Sequence, residues 1–415
     1  MTATNPAARG AAERPAADVV IVGAGPAGAA AAITLARHGQ RVTLVDKATF
    51  PRDKICGDGL TTGALRILED LGVQPKGVAS WTPVDDIHVA GPNGHTVTFP
   101  LPRDRGAYAV VCRRMDLDAA IVDQARAAGV TVVEGTEVTG AVDTGEQVEI
   151  TLDDDTQLTA PYVIAADGMW SPLRKMLGTA VPGYLGEWHA FRQYFQNTGP
   201  KARDLWVWFE ADLLPGYAWS FPLPDGGANV GFGIQRGARV TTKQMKALWP
   251  ALLARPHIAE VLGPDAVAES RHQAWPIPAR IDQVELTAGR VLWVGDAAAA
   301  TDPMTGEGIG QALASGVMAA EAVMAGGPTD PGQVRTRYET AVARDLIPDH
   351  KASLLLVRAL RHRKGARAAI RVAGLTPWTR RNFARWLFED EPRAIAVTPR
   401  RWHRQFLQRD GAYRR

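Results

Sequence analysis

The segment from residue 18 to residue 46 constrains the fold more than any other part of the chain. A β-branched run at 19–22 leads into a glycine turn, an alanine-rich run follows, and a second apolar run ends on Asp46. The turn itself reads Gly23-Ala-Gly25-Pro-Ala27-Gly28. This order of strand, glycine turn, helix, strand and acid is the pattern of a dinucleotide-binding βαβ unit.

Each glycine of this turn has its own expected role. Gly23 permits the tight turn, Gly25 lets the backbone approach a pyrophosphate, and Gly28 lets the helix pack closely on the strand. The free N–H groups at the helix N-terminus favour phosphates, and we expect Asp46 to accept hydrogen bonds from a ribose. The alternative is a buried turn without a ligand, and the flanking strands and the acid argue against it.

Two later strand-like runs also end in glycine and aspartate, at Asp167-Gly168 and at Gly295-Asp296. A helical run then begins within the glycine-rich stretch 306–310 and extends to about Met324. We expect this helix N-terminus to point at a reduced flavin ring, whose negative charge it would stabilise. Arg114 lies where another strand-like run meets a helix, so it is expected to contact a pyrophosphate or a ribose; a plain surface charge is the alternative.

Two further stretches predict the environment of a ligand. The turn-rich loop 50–62 carries Cys56 and Gly57 beside the dinucleotide site, although a lone cysteine is more often a small buried residue than a reactive thiol. From 183 to 237 aromatic residues alternate along strand-like runs, which predicts a twisted antiparallel sheet with a large apolar face. Most of these aromatics are expected in the core. A more specific hypothesis is that one face of the sheet covers an apolar pocket. Proline and glycine flank 216–222, and they interrupt the strand where a ligand could approach.

Composition limits the remaining choices. A chain of 415 residues suits two interwoven domains, and two cysteines exclude a disulfide framework or a cysteine-rich zinc site, so we expect no metal site and a cytoplasmic protein. No apolar run approaches a membrane-spanning length. The first 17 residues lack a continuous apolar stretch and are expected to form a disordered tail.

Positive charge is concentrated at the end of the chain. From Arg358 onward there are 16 Lys and Arg against 4 Asp and Glu, interleaved with tryptophans. Such a region suits an anionic membrane surface at the inner face of the membrane, and a solvated helical surface explains it equally well. We do not expect nucleic acid as the partner.

These motifs, with Arg114 between them, resemble in their order the glutathione-reductase-type FAD fold of the hydroxybenzoate-hydroxylase-like flavoenzymes. The resemblance covers about residues 18–325. It implies an α/β fold in which an FAD-binding Rossmann domain (18–80, 106–180 and 285–325) is interwoven with an antiparallel-sheet substrate domain (81–105 and 181–284). A basic helical C-terminal region, 326–415, lies outside the resemblance.

Two motifs narrow the resemblance. Pro51-Arg-Asp-Lys-Ile-Cys56-Gly57 is similar to the PxxxxCG loop of the geranylgeranyl reductase family, and Tyr217-Ala-Trp219-Ser-Phe221-Pro222, followed by Gly231-Phe-Gly233, is similar to its YxWxFP…GxG pattern. The sequence Cys56-Gly-Asp-Gly-Leu-Thr61 also looks like the actinobacterial menaquinone side-chain reductases. The resemblance implies saturation of a polyprenyl double bond in a quinone side chain or a prenyl lipid, by hydride transfer from reduced flavin.

The resemblance also implies roles for individual residues. Cys56 would lie near the flavin, Tyr217 and Trp219 would line the prenyl channel, and Tyr217 is the candidate proton donor, with water or Cys56 as alternatives. The expected FAD-binding residues are Gly23, Gly25, Ala27, Gly28, Asp46, Lys47, Cys56, Gly57, Arg114, Asp167, Gly168, Gly295, Asp296, Gly306, Gly308 and Ile309.

Other enzyme classes share this fold. An FAD-dependent monooxygenase acting on a hydrophobic substrate is the main alternative. A flavin-dependent halogenase fits less well, because the sequence has YxWxFP where halogenases have WxWxIP. A non-enzymatic FAD-binding protein fits least. A second glycine turn for a nicotinamide is absent from the sequence, so NAD(P)H and a ferredoxin-type donor both remain open as the reductant.

Overall fold

The structure is a computed structural model that describes residues 17–414. Its strands are, in chain order, β1 (Val19–Val22), β2 (Val42–Val45), β3 (Gly59–Thr61), β4 (Thr82–Pro83), β5 (Asp86–Ala90), β6 (Thr96–Pro100), β7 (Ala109–Val111), β8 (Thr131–Val133), β9 (Val138–Asp143), β10 (Val148–Leu152), β11 (Gln157–Ala160), β12 (Tyr162–Ala165), β13 (Trp188–Gln196), β14 (Leu205–Trp208), β15 (Ala218–Leu223), β16 (Gly227–Gln235), β17 (Val267–Ala268), β18 (Gln273–Ile277), β19 (Thr287–Ala288) and β20 (Val291–Trp293). Its α-helices are α1 (Pro26–Arg37), α2 (Thr62–Asp70), α3 (Arg114–Ala127), α4 (Pro172–Met176), α5 (Met245–Leu253), α6 (Pro256–Leu262), α7 (Ile309–Gly326), α8 (Pro331–Asp345), α9 (Ile347–Leu360), α10 (Arg363–Ala373) and α11 (Pro377–Leu387).

A six-stranded sheet carries the glycine turn at its centre. The strand order is β19-β20-β12-β1-β2-β8, and neighbours run parallel except β19 and β20. All four residues of β1 are buried, as expected for a parallel strand covered on both faces. Helices α1 and α7 pack against each other, and a Cβ at Gly316 would lie 2.1 Å from the carbonyl oxygen of Ala27. The predicted βαβ unit is confirmed.

A second large sheet includes the strands of the aromatic-rich segment 183–237. It contains eight strands in the order β17-β13-β16-β15-β14-β5-β6, with β18 also paired to β13. Its pairings are antiparallel except that of β14 with β5, which is parallel. These two strands come from segments separated by much of the chain, so no hairpin sets their relative direction. The predicted antiparallel sheet is therefore mixed at this one pairing. Two three-stranded sheets, β11-β10-β9 and β3-β7-β4, complete the strands.

Helix α7 combines length with low polarity. Among the described residues it is the one helix long and apolar enough to cross a membrane by those two criteria, and 56% of it is buried inside the structure. It packs against α1 and α2, and its apolar residues belong to the main hydrophobic core around the six-stranded sheet.

The C-terminal region differs from the sequence expectation in its last part. Helices α8 to α11 are present, but beyond Leu387 the described chain forms only short 3₁₀ turns at 395–397 and 399–401. Prolines at 392 and 399 oppose a continuing helix. Instead, the chain crosses back over the FAD-binding domain, where Ala412 pairs with Ala107 and the hydroxyl of Tyr413 donates to the carbonyl of Val73 at 2.9 Å.

The predicted N-terminal tail, 1–17, lies outside the described residues except for Ala17. That residue is buried in the core beside β1, so the ordered domain begins at least one residue before the predicted boundary.

Candidate active site

The glycine turn and the N-terminus of α1 form one end of a large cavity. Gly23 has a φ of +102°, and a Cβ there would lie 2.2 Å from the carbonyl oxygen of Ala166. At Gly25 a Cβ would meet open space, with the nearest atom, Nη2 of Arg52, 3.8 Å away. No side chain among the described residues caps α1. Its free N–H groups therefore face the cavity, where they can bind a phosphate.

Asp46 is held rigidly at the end of β2. Its Oδ2 accepts a hydrogen bond from the amide of Ala24 at 2.7 Å, and its Oδ1 accepts one from the amide of Ala48 at 2.8 Å. Each carboxylate oxygen has a further lone pair, so the group can still accept hydrogen bonds from a diol. Lys47 follows it on the cavity wall and is exposed.

Two arginines share one buried carboxylate beside the turn. Nε and Nη2 of Arg114 donate to the two oxygens of Asp118 at 2.7 Å each, and Nη1 of Arg52 donates to the same carboxylate at 2.8 Å. Both arginines line the cavity. Two cations against one anion leave net positive charge at this position, which suits a pyrophosphate better than a ribose, the two groups expected at Arg114.

Asp167 lies at the end of β12 and caps α4. Its Oδ2 accepts hydrogen bonds from the Ser171 hydroxyl and the Leu173 amide, both at 2.9 Å. Its buried Oδ1 has no hydrogen-bond partner within residues 17–414, and burial raises the pKa of the carboxyl to about 6. An orphaned oxygen of this kind on a cavity wall fits a polar group of a bound dinucleotide.

The loop after β2 is tied to the aromatic sheet by side chains of that sheet, among them Asn229, Tyr194 and Arg192. Nδ2 of Asn229 donates to the carbonyl oxygen of Cys56 at 2.9 Å and to Oδ2 of Asp58 at 2.8 Å, while its Oδ1 accepts from the indole of Trp219 at 3.0 Å. The hydroxyl of Tyr194 also donates to Asp58, at 2.7 Å. Burial raises the pKa of Asp58 to about 6 and also raises the pKa of Cys56, so Cys56 is a neutral thiol at pH 7.

Tyr217, Trp219 and Phe221 form an aromatic row on β15 and the residue before it. Successive ring centroids lie 6.0 Å apart. A Cβ at Gly231 on the neighbouring strand would lie 2.3 Å from Cζ2 of Trp219, so this glycine leaves the space that the indole occupies. The hydroxyl of Tyr217 donates to the carbonyl oxygen of Thr305, and burial raises its pKa.

A partly buried carboxyl cluster at the start of α7 was not found by sequence reasoning. Oε1 of Glu307 accepts from the amide of Gly310 at 2.7 Å, and burial, then the neighbouring Glu389, raises the pKa of Glu307 to about 8. Glu389 accepts from Thr61 at 3.0 Å and from Gln311 at 2.9 Å, and its pKa is also raised, chiefly by burial.

Arg393 holds this cluster together from the C-terminal segment. Its Nη2 lies 3.1 Å from Oε1 of Glu389, and its Nε lies 3.3 Å from Oδ2 of Asp302. Glu307 lies within the glycine-rich stretch 306–310 that the sequence analysis identified. Glu389, however, is 328 residues from its partner Thr61, and no local pattern predicts that contact.

The cavity continues far beyond the dinucleotide end. Its volume is about 670 Å³, and it passes the aromatic row to reach side chains of α9, α10 and α11. At that end its wall is almost entirely aliphatic and aromatic: Ile87, Val89, Leu356, Leu360, Ile370, Phe383 and Leu387. Lys54 is a charged exception nearer the middle; its Nζ lies 3.5 Å from the ring centroid of Trp275, and burial lowers its pKa to about 8.

The structure gathers the predicted site residues around this one cavity. All of them line it except Gly28, which lies behind the wall, where a Cβ would be 1.9 Å from the carbonyl oxygen of Gly23. Its role is therefore packing of α1 on β1. The open space at Gly25, the unpaired Oδ1 of Asp167 and the paired arginines fit FAD at the turn end of the cavity. When bound, FAD would supply redox chemistry there.

Comparisons with known proteins identify the family and the cofactor. Residues 16–324 match the family described as FAD binding domain. The chain is 35% identical to the menaquinone reductase of Mycolicibacterium smegmatis, over 76% of this chain and 78% of that protein. It is 30% identical to a digeranylgeranylglycerophospholipid reductase of Methanothrix thermoacetophila, over 74% of this chain and 77% of that one.

A solved structure has the same fold. The geranylgeranyl bacteriochlorophyll reductase-like protein of Thermoplasma acidophilum superimposes with a TM-score of 0.76 at 20% identity, over 93% of this chain and 99% of that one. This likeness shows the fold, and the matched domain and the curated relatives show the family. The chain is an FAD-dependent oxidoreductase of the geranylgeranyl reductase family.

Proposed function

We propose that the protein saturates carbon–carbon double bonds of a polyprenyl chain carried by a quinone or a prenyl lipid. When bound and reduced, FAD would supply a hydride for one carbon of the alkene, and a proton from this chain or from water would complete the addition at the other carbon. The observation that carries the proposal is the continuous cavity, which joins the dinucleotide cradle to a long apolar end lined by α9, α10 and α11. A polyprenyl chain has few polar groups, and an apolar wall of this length suits it.

The residues between the two ends would hold the alkene in place. The aromatic row of Tyr217, Trp219 and Phe221 offers flat apolar surface, and Asn229 locks the Cys56 loop against that row. An unactivated alkene reacts only when it is held close to the hydride donor in a dry site. A rigid aromatic wall with little polar surface meets both requirements.

Several neutral groups on the same wall could supply the proton, with water as an alternative source. Tyr217 and Cys56 both have raised pKa values because they are buried, and the pKa of Glu307 is about 8, so all three hold a proton at pH 7. The hydroxyl proton of Tyr217 is engaged by the carbonyl of Thr305. Tyr217 would thus donate only when substrate competes with that carbonyl.

The names of the relatives support the substrate class. The curated relatives act, by name, on menaquinone and on digeranylgeranylglycerophospholipid, and both names denote prenyl-bearing lipids. We therefore propose menaquinone or a geranylgeranyl lipid as the substrate to examine first.

The test is the mass of the product. The purified holoenzyme is reduced anaerobically with dithionite and given menaquinone, with parallel samples that contain NADPH or reduced ferredoxin instead. A gain of two hydrogens on the prenyl side chain, read after air has reoxidised the quinol ring to the quinone, supports the proposal and identifies a competent donor. An unchanged prenyl chain, with an added oxygen when the NADPH sample is exposed to air, would place the protein among the FAD-dependent monooxygenases.

A further inference from the structure

Three large apolar side chains stand exposed where α10 meets α11. Val372 near the end of α10, Leu375 in the connecting turn and Trp378 at the start of α11 are 60%, 63% and 62% exposed. They fall within seven consecutive residues, so they lie close together. Single exposed apolar residues are ordinary, whereas a contiguous group of this kind marks a surface that another apolar surface covers.

The sides of α10 differ sharply. Ala366, Ile370 and Ala373 are buried against the protein. A quarter-turn away on the helix, Ala368, Ala369 and Val372 form an exposed apolar strip. The remaining side carries only basic residues, Arg363, Lys364, Arg367 and Arg371, all exposed. An amphipathic helix with basic residues beside an apolar strip is typical of segments that lie in a membrane interface.

Charge in this region has one sign. Residues 361–387, which span α10 and α11, contain eight Arg and Lys and no Asp or Glu. One of these eight, Arg385, is buried in an ion pair with Asp390 and does not contribute to the surface. The segment after α11 is less free to bind an anionic surface, because Arg401 pairs with Asp349 at 2.8 Å and Arg393 is buried in an ion pair with Asp302. The basic surface that the sequence suggested is therefore found on α10 and α11, and not on residues 388–414 that follow them.

This face also adjoins the substrate cavity. A groove between α10 and α11, with a volume of about 470 Å³, is lined by Ala368, Ala369, Val372, Ala373, Trp378, Thr379, Asn382 and Phe383. Ala369 and Phe383 line both the groove and the cavity. Two side chains thus form a shared wall between the outer surface and the apolar end of the site.

We propose that the exposed face of α10 and α11 docks on an anionic lipid bilayer, and that the prenyl chain passes from the bilayer into the cavity between Ala369 and Phe383. Val372, Leu375 and Trp378 insert among the acyl chains, and the basic side of α10 lies over the anionic headgroups. Passage of the prenyl chain rests on the proposed function, whereas docking does not.

The first experiment measures docking without turnover. Full-length holoenzyme is floated with vesicles of phosphatidylglycerol and phosphatidylcholine, or of phosphatidylcholine alone. The wild type floats with the anionic vesicles, and Val372→Asp/Leu375→Asp lowers its partition coefficient at least about tenfold because apolar insertion is replaced by charge. Val142→Asp is the matched control: Val142 is 57% exposed on β9, outside this face, and that variant floats as the wild type does.

Other outcomes overturn the docking proposal. Equal flotation of the double variant and the wild type would do so. Failure of the wild type to float, combined with a dimer that the double variant abolishes, would assign this face to a second copy of the chain. Retained FAD absorbance and an unchanged melting temperature show that the double variant is folded.

A second experiment tests the passage. Ala369→Trp would fill the shared wall and slow turnover of vesicle-borne substrate by at least about tenfold, while flotation stays at the wild-type level. Normal turnover of vesicle-borne substrate by Ala369→Trp would refute the passage and leave docking in place. If no prenyl substrate is reduced by the wild type, the proposed function fails and the flotation result still decides the docking.

Discussion

The side-chain amide of Asn229 donates a hydrogen bond to the carbonyl oxygen of Cys56 at 2.9 Å. The same amide accepts the indole N–H of Trp219, so it joins the PxxxxCG loop to the YxWxFP strand. These two motifs lie far apart in the sequence, and the buried amide is what makes them one site. The cavity wall at the junction therefore depends on a residue that neither motif contains.

Asn229→Ala should destabilise the protein by roughly 2–4 kcal/mol, because the Trp219 indole, the Cys56 carbonyl and one oxygen of Asp58 each lose a buried partner. We expect FAD to remain bound, since the glycine turn is untouched, and turnover to fall. Urea unfolding and FAD absorbance measure the two effects. Asn93→Ala, at an exposed position in the β5–β6 turn, is the control. Equal stability of the two variants would contradict the role of Asn229.

The two glycines of the Gly231-Phe-Gly233 motif should respond differently to alanine. A Cβ at Gly231 would lie 2.3 Å from both the Trp219 ring and the Phe191 carbonyl, whereas the nearest atom to a Cβ at Gly233 is the His189 carbonyl at 3.9 Å. Gly231→Ala should cost about 1–3 kcal/mol through overpacking, and Gly233→Ala less than about 1 kcal/mol. Thermal unfolding of both variants checks this, and equal losses would contradict the packing at Trp219.

Gly25→Val should abolish FAD binding and leave the fold intact. A Cβ at Gly25 meets no protein atom within 3.8 Å, so the valine would occupy the space left for the pyrophosphate. The variant should purify colourless, with a far-ultraviolet circular dichroism spectrum like that of the wild type. Gly77→Val is the control, because a Cβ at Gly77 also meets open space, away from the cavity. A yellow Gly25→Val protein would place the cofactor elsewhere.

Local sequence patterns predicted those parts of the site whose conformation depends on residues near them in the sequence. The βαβ turn from Gly23 to Gly28 and the strand that carries Trp219 are set by nearby glycines and by residue alternation, and both are where the sequence predicted them. The bond between Asn229 and Cys56 spans 173 residues, and that between Thr61 and Glu389 spans 328. Such contacts depend on the packing of whole elements, so no spacing rule predicts them. The basic C-terminal region was expected to be helical and to face either an anionic membrane or solvent, whereas Arg393 is buried against Asp302 and Glu389.

The pair of Glu307 and Glu389 predicts a specific dependence of stability on pH. Burial raises the pKa of Glu307 from 4.5 to about 8, so the folded protein binds a proton that the unfolded chain releases above pH 4.5. The stabilisation that this bound proton adds to the free energy of unfolding is complete below pH 4.5. It is lost as the pH rises to about 8, with a slope of up to about 1.4 kcal/mol per pH unit.

Glu307→Gln removes this titration and keeps an oxygen that can accept the Gly310 amide. Urea unfolding of the holoenzyme between pH 5 and pH 9 should show the variant losing less stability than the wild type as the pH rises. Glu146→Gln, an exposed position in the β9–β10 turn, should follow the wild-type curve. Parallel curves for Glu307→Gln and the wild type would mean that Glu307 is already ionised in the folded state. A neutral Glu307 at pH 7 would instead keep it available, with Tyr217 and Cys56, as a source of the proton that the proposed alkene reduction would consume.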